Sequence, residues 1–238
     1  MKKLLTFLFF LSVASTIVGN YYQLPELRFL AKPLIMVFLA WLFSMSVNNL
    51  TQSKKIWVLL AFMFSWVGDI ALMFADDTTK APGFYFFIAG LVSFLTAHVC
   101  YIVVFRKIAA QFGSSGFNTL KLMLATPVAL VVGILIFKIL PSLGSMTIPV
   151  VVYAIIISTM AMAAIALYGV LTKQSFIAIY FGAILFLVSD TTLAVNQFVS
   201  SSPLLGIVVM LTYGSAQYYI MQGVVSLNSR PKAVEKVI

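Results

Sequence analysis

Residues 56–74, IWVLLAFMFSWVGDIALMF, decide how the rest of the chain is read. The run is nineteen residues long, and a hydrocarbon core of ~30 Å needs an apolar helix of about 17–25 residues. One side chain in it, Asp69, is ionisable. A lone carboxylate at that depth costs several kcal/mol, so such residues are functional candidates by default. The reading holds only if the surroundings are lipid, and composition settles that. The chain is 62% hydrophobic and 9% charged over 238 residues, with a mean hydropathy of +1.09. Soluble domains are nearer to about 45–50% apolar and 25% charged.

Outward from 56–74, seven more apolar runs are long enough to span: 4–19, 32–48, 84–105, 119–138, 147–171, 176–199 and 203–226. Short connections carrying Gly, Pro, Ser and Asn separate them. The expected fold is all-α, a polytopic membrane bundle of about eight transmembrane helices. Residues 1–238 form one transmembrane domain with a short basic tail at 227–238. Residues 1–14 also have a signal-peptide reading, with a small-x-small site at Ser12-Val13-Ala14; we read them as the first helix.

Charge orients the bundle. With the N-terminus cytoplasmic, that side carries Lys2, Lys3, Lys54, Lys55, Arg106, Lys107, Lys121, Lys173, Arg230, Lys232 and Lys236, eleven of the fifteen basic residues. The other side carries Arg28, Lys32, Lys80 and Lys138, beside Glu26, Asp76 and Asp77. The positive-inside rule then gives both termini cytoplasmic, in the cytoplasmic membrane of a bacterium, with the Asp76-Asp77 loop outside. The net charge of +9 is accounted for by these topology determinants facing membrane lipids. No nucleic-acid partner is expected, and no feature specifies an oligomeric state.

Three ionisable residues fall inside spans: Asp69, His98 and Asp190. Asp69 and Asp190 lie 13 and 14 residues into their runs, in helices of the same polarity. The matching segments SWVGDIAL and FLVSDTTL suggest a weak four-helix internal echo. Two carboxylates meeting in low dielectric resist double ionisation, so such a pair holds one proton near neutral pH. That division suits acid–base catalysis. The alternative is that both acids are helix-packing partners. His98 reads as nearer the cytoplasmic side and serves either to support the acids or to bond a neighbouring helix.

Satellites sit at helical spacing. Ser65 lies four residues before Asp69, with Gly68 allowing a close helix approach. Tyr101 follows His98 by a turn, Asn196 and Gln197 lie above Asp190, and Tyr213 and Gln217 share a face. Each is a supporting or substrate-binding candidate, with packing as the competing role. Lys32-Pro33 reads as the opening of the second helix, where the lysine snorkels or holds a phosphate.

Several chemistries fall away. One cysteine and one histidine leave no disulfide framework and no two-histidine zinc motif. Asp69, His98 and Asp190 make a poor zinc set. No GxSxG elbow or Gly-rich phosphate loop is present. No metal and no cofactor is expected.

KPLIM at 32–36, SWVGDIALM at 65–73, GLVSFLTAHVCY at 90–101, GAILFLVSDTTLAVNQF at 182–198 and LTYGSAQYYI at 211–220 together resemble the YhhN-like lysoplasmalogenase family in order and spacing. The resemblance implies an eight-helix membrane bundle that hydrolyses the vinyl ether of lysoplasmalogens, giving a fatty aldehyde and a glycerophospho-base. It implies a lysophospholipid substrate, with Asp69 and Asp190 as the catalytic pair. Vinyl ether cleavage by protonation passes through an oxocarbenium ion, for which two carboxylates are suited as in glycoside hydrolysis. A proton-coupled transporter of lipids or small molecules is the alternative, since midplane acids also mark proton relays.

Overall fold

A computed structural model of the chain describes residues 1–47, 50–75, 80–112 and 118–229. Asp76, Asp77, Arg230, Lys232 and Lys236 lie outside the described residues. Among the described residues eight helices are long and apolar enough to cross a membrane, the fifth counted on to Ser142 and the sixth from Gly144, and no strand occurs among those residues. They are α1 (Lys2–Tyr21), α2 (Pro25–Ser46), α3 (Gln52–Met73), α4 (Gly83–Phe112), α5 (Thr119–Ile134), α6 (Thr147–Ile165), α7 (Lys173–Phe198) and α8 (Pro203–Val225). After α5 the chain continues as a π-turn at Leu135–Ile139 and two short 3-10 turns before α6.

Local chemistry sets the ends. Pro25 and Pro203 occupy first turns, where a missing N–H is harmless. The Asn118, Thr172 and Ser202 side chains accept hydrogen bonds from the Lys121, Ser175 and Leu204 amides. The second helix therefore begins seven residues before the expected Lys32, and Pro33 lies inside it rather than in its first turn. Glu26 and Arg28 lower the hydropathy of those turns without stopping the helix. The expected tail at 227 also starts later, because Ser226–Ser229 forms a 3-10 turn and Leu227 is buried.

The most extensive helix pairings are the hairpins α7/α8, α3/α4 and α1/α2. One core draws on all eight helices, from Phe9 of α1 to Ile220 of α8. Large apolar side chains such as Phe137, Ile148 and Leu204 point outward, as a lipid-solvated surface requires. Lys2, Lys3, Lys54, Lys55, Arg106, Lys107, Lys121 and Lys173 gather at one end. Lys54 donates to Gln111 across α3/α4, and the Lys121 Nζ donates to the Ala166 carbonyl at 3.4 Å. Arg28, Lys32, Lys80 and Lys138 belong to the opposite end, where the Arg28 guanidinium donates to the Met73 carbonyl at 3.2 Å.

Without a hydrophobic drive between helices in lipid, close packing by small residues matters more. A Cβ at Gly182 would lie 2.9 Å from the Ala216 oxygen and the Ile220 nitrogen of α8, and one at Gly223 would lie 3.0 Å from the Ile179 nitrogen of α7. Backbone cannot yield as a side chain does. Gly182→Leu is expected to lower stability by at least the ~1–3 kcal/mol typical of overpacking. Gly133→Ala, with open space around it, should be neutral or stabilising by up to ~1 kcal/mol. Thermal unfolding in detergent compares the two.

Candidate functional site

The buried stripe of α3 runs through Val58, Phe62, Ser65 and Asp69, so the helix period turns both polar side chains inward. Asp69 Oδ2 accepts a 2.6 Å hydrogen bond from the Tyr213 hydroxyl of α8. Its Oδ1 lies 3.7 Å from the Lys32 Nζ of α2, with the two side chains 3% and 13% exposed. One turn deeper, Gln217 donates from Nε2 to Ser65 Oγ at 2.9 Å and accepts from the Tyr101 hydroxyl of α4. Ser65, Tyr101 and Gln217 are fully buried. They tie α3, α4 and α8 together beneath the ion pair.

A second network surrounds Asp190 on α7. Its Oδ2 accepts from the Tyr153 hydroxyl of α6 and lies 3.0 Å from His98 Nε2 of α4. His98 Nε2 is also 2.9 Å from the Tyr153 oxygen. His98 Nδ1 is buried with no hydrogen-bond partner among the described residues, so the arrangement supports the Nε2–H tautomer. His98 is thus at the level of Asp190 rather than nearer the cytoplasmic side. The reason is the length of α4, which runs past Arg106 and Lys107 to Phe112.

The two networks correspond. Asp69 lies 17 residues along from Gln52 and Asp190 lies 17 along from Lys173, about 26 Å at 1.5 Å per residue. Asp69 of α3 takes partners from α2 and α8. Asp190 of α7 takes partners from α6 and α4. Numbered within halves of four helices, each acid is served by the second helix of its own half and the fourth of the other. The internal echo in the sequence therefore extends to the partners of each acid.

The carboxylates share no hydrogen bond. Phe186, one turn before Asp190, stands between the networks, its ring 4.6 Å from that of His98 and 5.6 Å from that of Tyr213. The donors of the zinc reading likewise do not converge: among the described residues no three His, Cys, Asp or Glu side chains gather.

Two cavities adjoin each other near Asp190. An apolar cleft, about 570 Å³ including the space open to its surroundings, lies between α3, α4, α6 and α7 and the π-turn after α5, with Tyr153, Asp190 and Thr191 as its polar groups. The other is an open vestibule of about 1790 Å³, including its mouth, at the end opposite Lys2. Arg28, Lys32, Asn196 and Gln197 line it, and Leu72, Phe87 and Leu193 line both spaces. Asp69 borders neither, whereas Lys32 borders the vestibule and Asp190 the apolar cavity.

The YhhN family model matches residues 27–224, a range containing every residue of both networks. The chain belongs to the YhhN family. It is 29% identical over 191 residues to the Bos taurus protein named lysoplasmalogenase TMEM86A, covering 77% of this chain and 72% of that one. It is 28% identical over 200 residues to the Homo sapiens protein of that name, covering 81% and 74%. A Mycobacterium tuberculosis protein named lysoplasmalogenase is 29% identical over 175 residues, covering 71% and 60%. No solved structure matches the chain.

In this YhhN protein the structure brings Asp69, Lys32, Tyr213, Ser65, Gln217 and Tyr101 into one cluster, and Asp190 with His98 into the other. Asn196 stands apart from both: its Oδ1 accepts from the Ser202 amide at 2.8 Å, holding the α7–α8 connection, while the residue faces the vestibule. Sequence reading missed Tyr153. Its hydroxyl is conspicuous in the apolar run VVYAIII at 151–157, but an aromatic there reads equally well as packing.

Proposed function

We propose that this YhhN protein hydrolyses the vinyl ether bond of lysoplasmalogens, releasing a fatty aldehyde and a glycerophospho-base. One observation carries the reading: a carboxylic acid, Asp190, is set in the wall of an apolar cavity that adjoins a polar, cation-bearing vestibule. An alkenyl chain suits the first space and a phosphate headgroup the second, with the ether between them. The names of the relatives support the same substrate class.

Asp190 is assigned as the proton donor. Protonation of the vinyl β-carbon consumes the C=C π bond and leaves an oxocarbenium ion facing the new carboxylate, an arrangement that favours the developing charge. Water from the vestibule adds to the carbon bonded to the ether oxygen, and its proton returns to Asp190. The resulting hemiacetal loses its hydroxyl proton as the bond to the glyceryl oxygen breaks, and that oxygen gains a proton. Water is the sole co-reactant. His98 and Tyr153 orient the acid through their hydrogen bonds. Asp69 acts through charge, anchored by Tyr213 and holding Lys32 at the border of the vestibule. The two aspartates thus divide the work, one handling protons and the other fixing a cation.

The purified protein in proteoliposomes should release aldehyde from a 1-alkenyl lysophospholipid and leave the saturated 1-alkyl analogue intact. Equal loss of both, or of neither, would refute vinyl ether specificity. The transporter alternative instead requires uptake of intact lipid without aldehyde.

With both termini cytoplasmic, the vestibule opens outward. Cys100 is buried, so labelling has little background. Tyr22→Cys, at an exposed position between α1 and α2, should react with an impermeant maleimide in intact cells. Ser53→Cys, exposed at the basic end, should react only after permeabilisation. The reverse pattern would invert the topology.

A further inference from the structure

The cations of the vestibule have no part in the proton chemistry. Arg28 and Lys32 are four residues apart on α2 and so share a face, and both line the vestibule. Among the described residues lining it there is no carboxylate; the other polar side chains are amides and hydroxyls, including Asn20, Gln23 and Asn196. Lys32 meets Asp69 through one oxygen at 3.7 Å, and the other oxygen of that carboxylate is taken by Tyr213. An ammonium carries three donors. Asp69 occupies one side of it, and the 13% of the Lys32 side chain left exposed faces the vestibule. A cation pair above an apolar cavity matches an amphiphile whose anionic group lies a short spacer from its chain.

We propose that Lys32 and Arg28 hold the phosphate of the substrate, so that the site selects phosphate-bearing alkenyl lysolipids over neutral 1-alkenylglycerols. This specificity rests on the hydrolase reading given above, but its binding component is separable from turnover. Charge-assisted contacts of this kind amount to a factor of roughly 10–100 in affinity.

The test compares kcat/KM for a 1-alkenyl glycerophospholipid and the matching 1-alkenylglycerol. The wild-type protein should prefer the phosphate-bearing substrate by about 10–100-fold. Lys32→Arg should keep the preference, and Lys32→Gln should remove most of it through KM. Because Lys32→Gln strands the Asp69 charge, the double variant Lys32→Gln/Asp69→Asn is carried alongside it in a binding assay. There the uncleavable 1-alkyl lysophospholipid should raise the melting temperature of wild type more than 1-alkylglycerol does. The double variant should show no such difference. Equal kcat/KM for both substrates would overturn the phosphate clamp and leave the hydrolase intact. Absence of aldehyde from either substrate, with the phosphate-dependent melting shift retained, would overturn the hydrolase and leave the clamp standing. If inorganic phosphate alone reproduces the shift, the site takes a soluble anion and the lipid assignment is overturned.

Discussion

Asp190→Asn is expected to lower aldehyde release by about 10²–10⁴-fold, the usual worth of a positioned general acid, while the protein stays folded. Asparagine keeps a carbonyl oxygen where Oδ2 accepts from Tyr153. It occupies the same volume in the cavity wall but has no proton to deliver to carbon. Helix packing needs only a polar acceptor at this position, so a structural role predicts the opposite ordering, with Asn tolerated and Leu not. Tyr153→Phe and His98→Ala should be milder, since each removes one contact to the acid and leaves the acid in place. Turnover and melting temperature measured together separate the cases. Wild-type turnover in Asp190→Asn would remove the proton donor from the mechanism.

Asp69→Asn should behave differently, losing stability as well as activity. Lys32 is 13% exposed and Asp69 is its carboxylate partner. Removing one member of a buried ion pair costs about 3–5 kcal/mol, because the other charge is left uncompensated. The loss should appear as a lowered melting temperature. Lys32→Met/Asp69→Asn, with neither charge present, should recover much of the stability, since apolar replacements of buried pairs are often neutral. Activity should stay low, because the cation at the mouth of the site is gone. Recovery of both stability and full turnover in the double variant would reduce the ion pair to packing. An unaltered melting temperature in Asp69→Asn would show that the pair is not a buried one.

The spans were legible because a lipid-solvated helix must be apolar over its whole length, and eight such runs stand out. Their ends were less so. α2 begins at Pro25, where two charged residues mask the helix in hydropathy. α3 begins at Gln52 and includes Lys54, buried against Gln111, so the start at 56 put Asp69 too near the basic end of the bundle. Corrected starts make the depths of the two acids equal. The acids themselves were visible from the sequence because an ionisable group in a span needs a reason. Their partners were not. Sequence gives the position of a residue along a helix but not which neighbour its face meets, and both acids are served by helices of both halves. Phe186 illustrates the loss: nothing in GAILFLVSD at 182–190 marks that ring as the divider between two polar networks.

The central claim is that a proton placed on the vinyl carbon lets water attack the carbon on the aldehyde side of the ether oxygen. Hydrolysis of a lysoplasmalogen by the reconstituted wild-type protein in ¹⁸O-labelled water, followed by mass spectrometry of the water-soluble product, tests it directly. Aldehyde should appear while the glycerophospho-base carries no ¹⁸O, because its hydroxyl keeps the oxygen of the original ether. Label in the glycerophospho-base, or no aldehyde at all, would contradict the account.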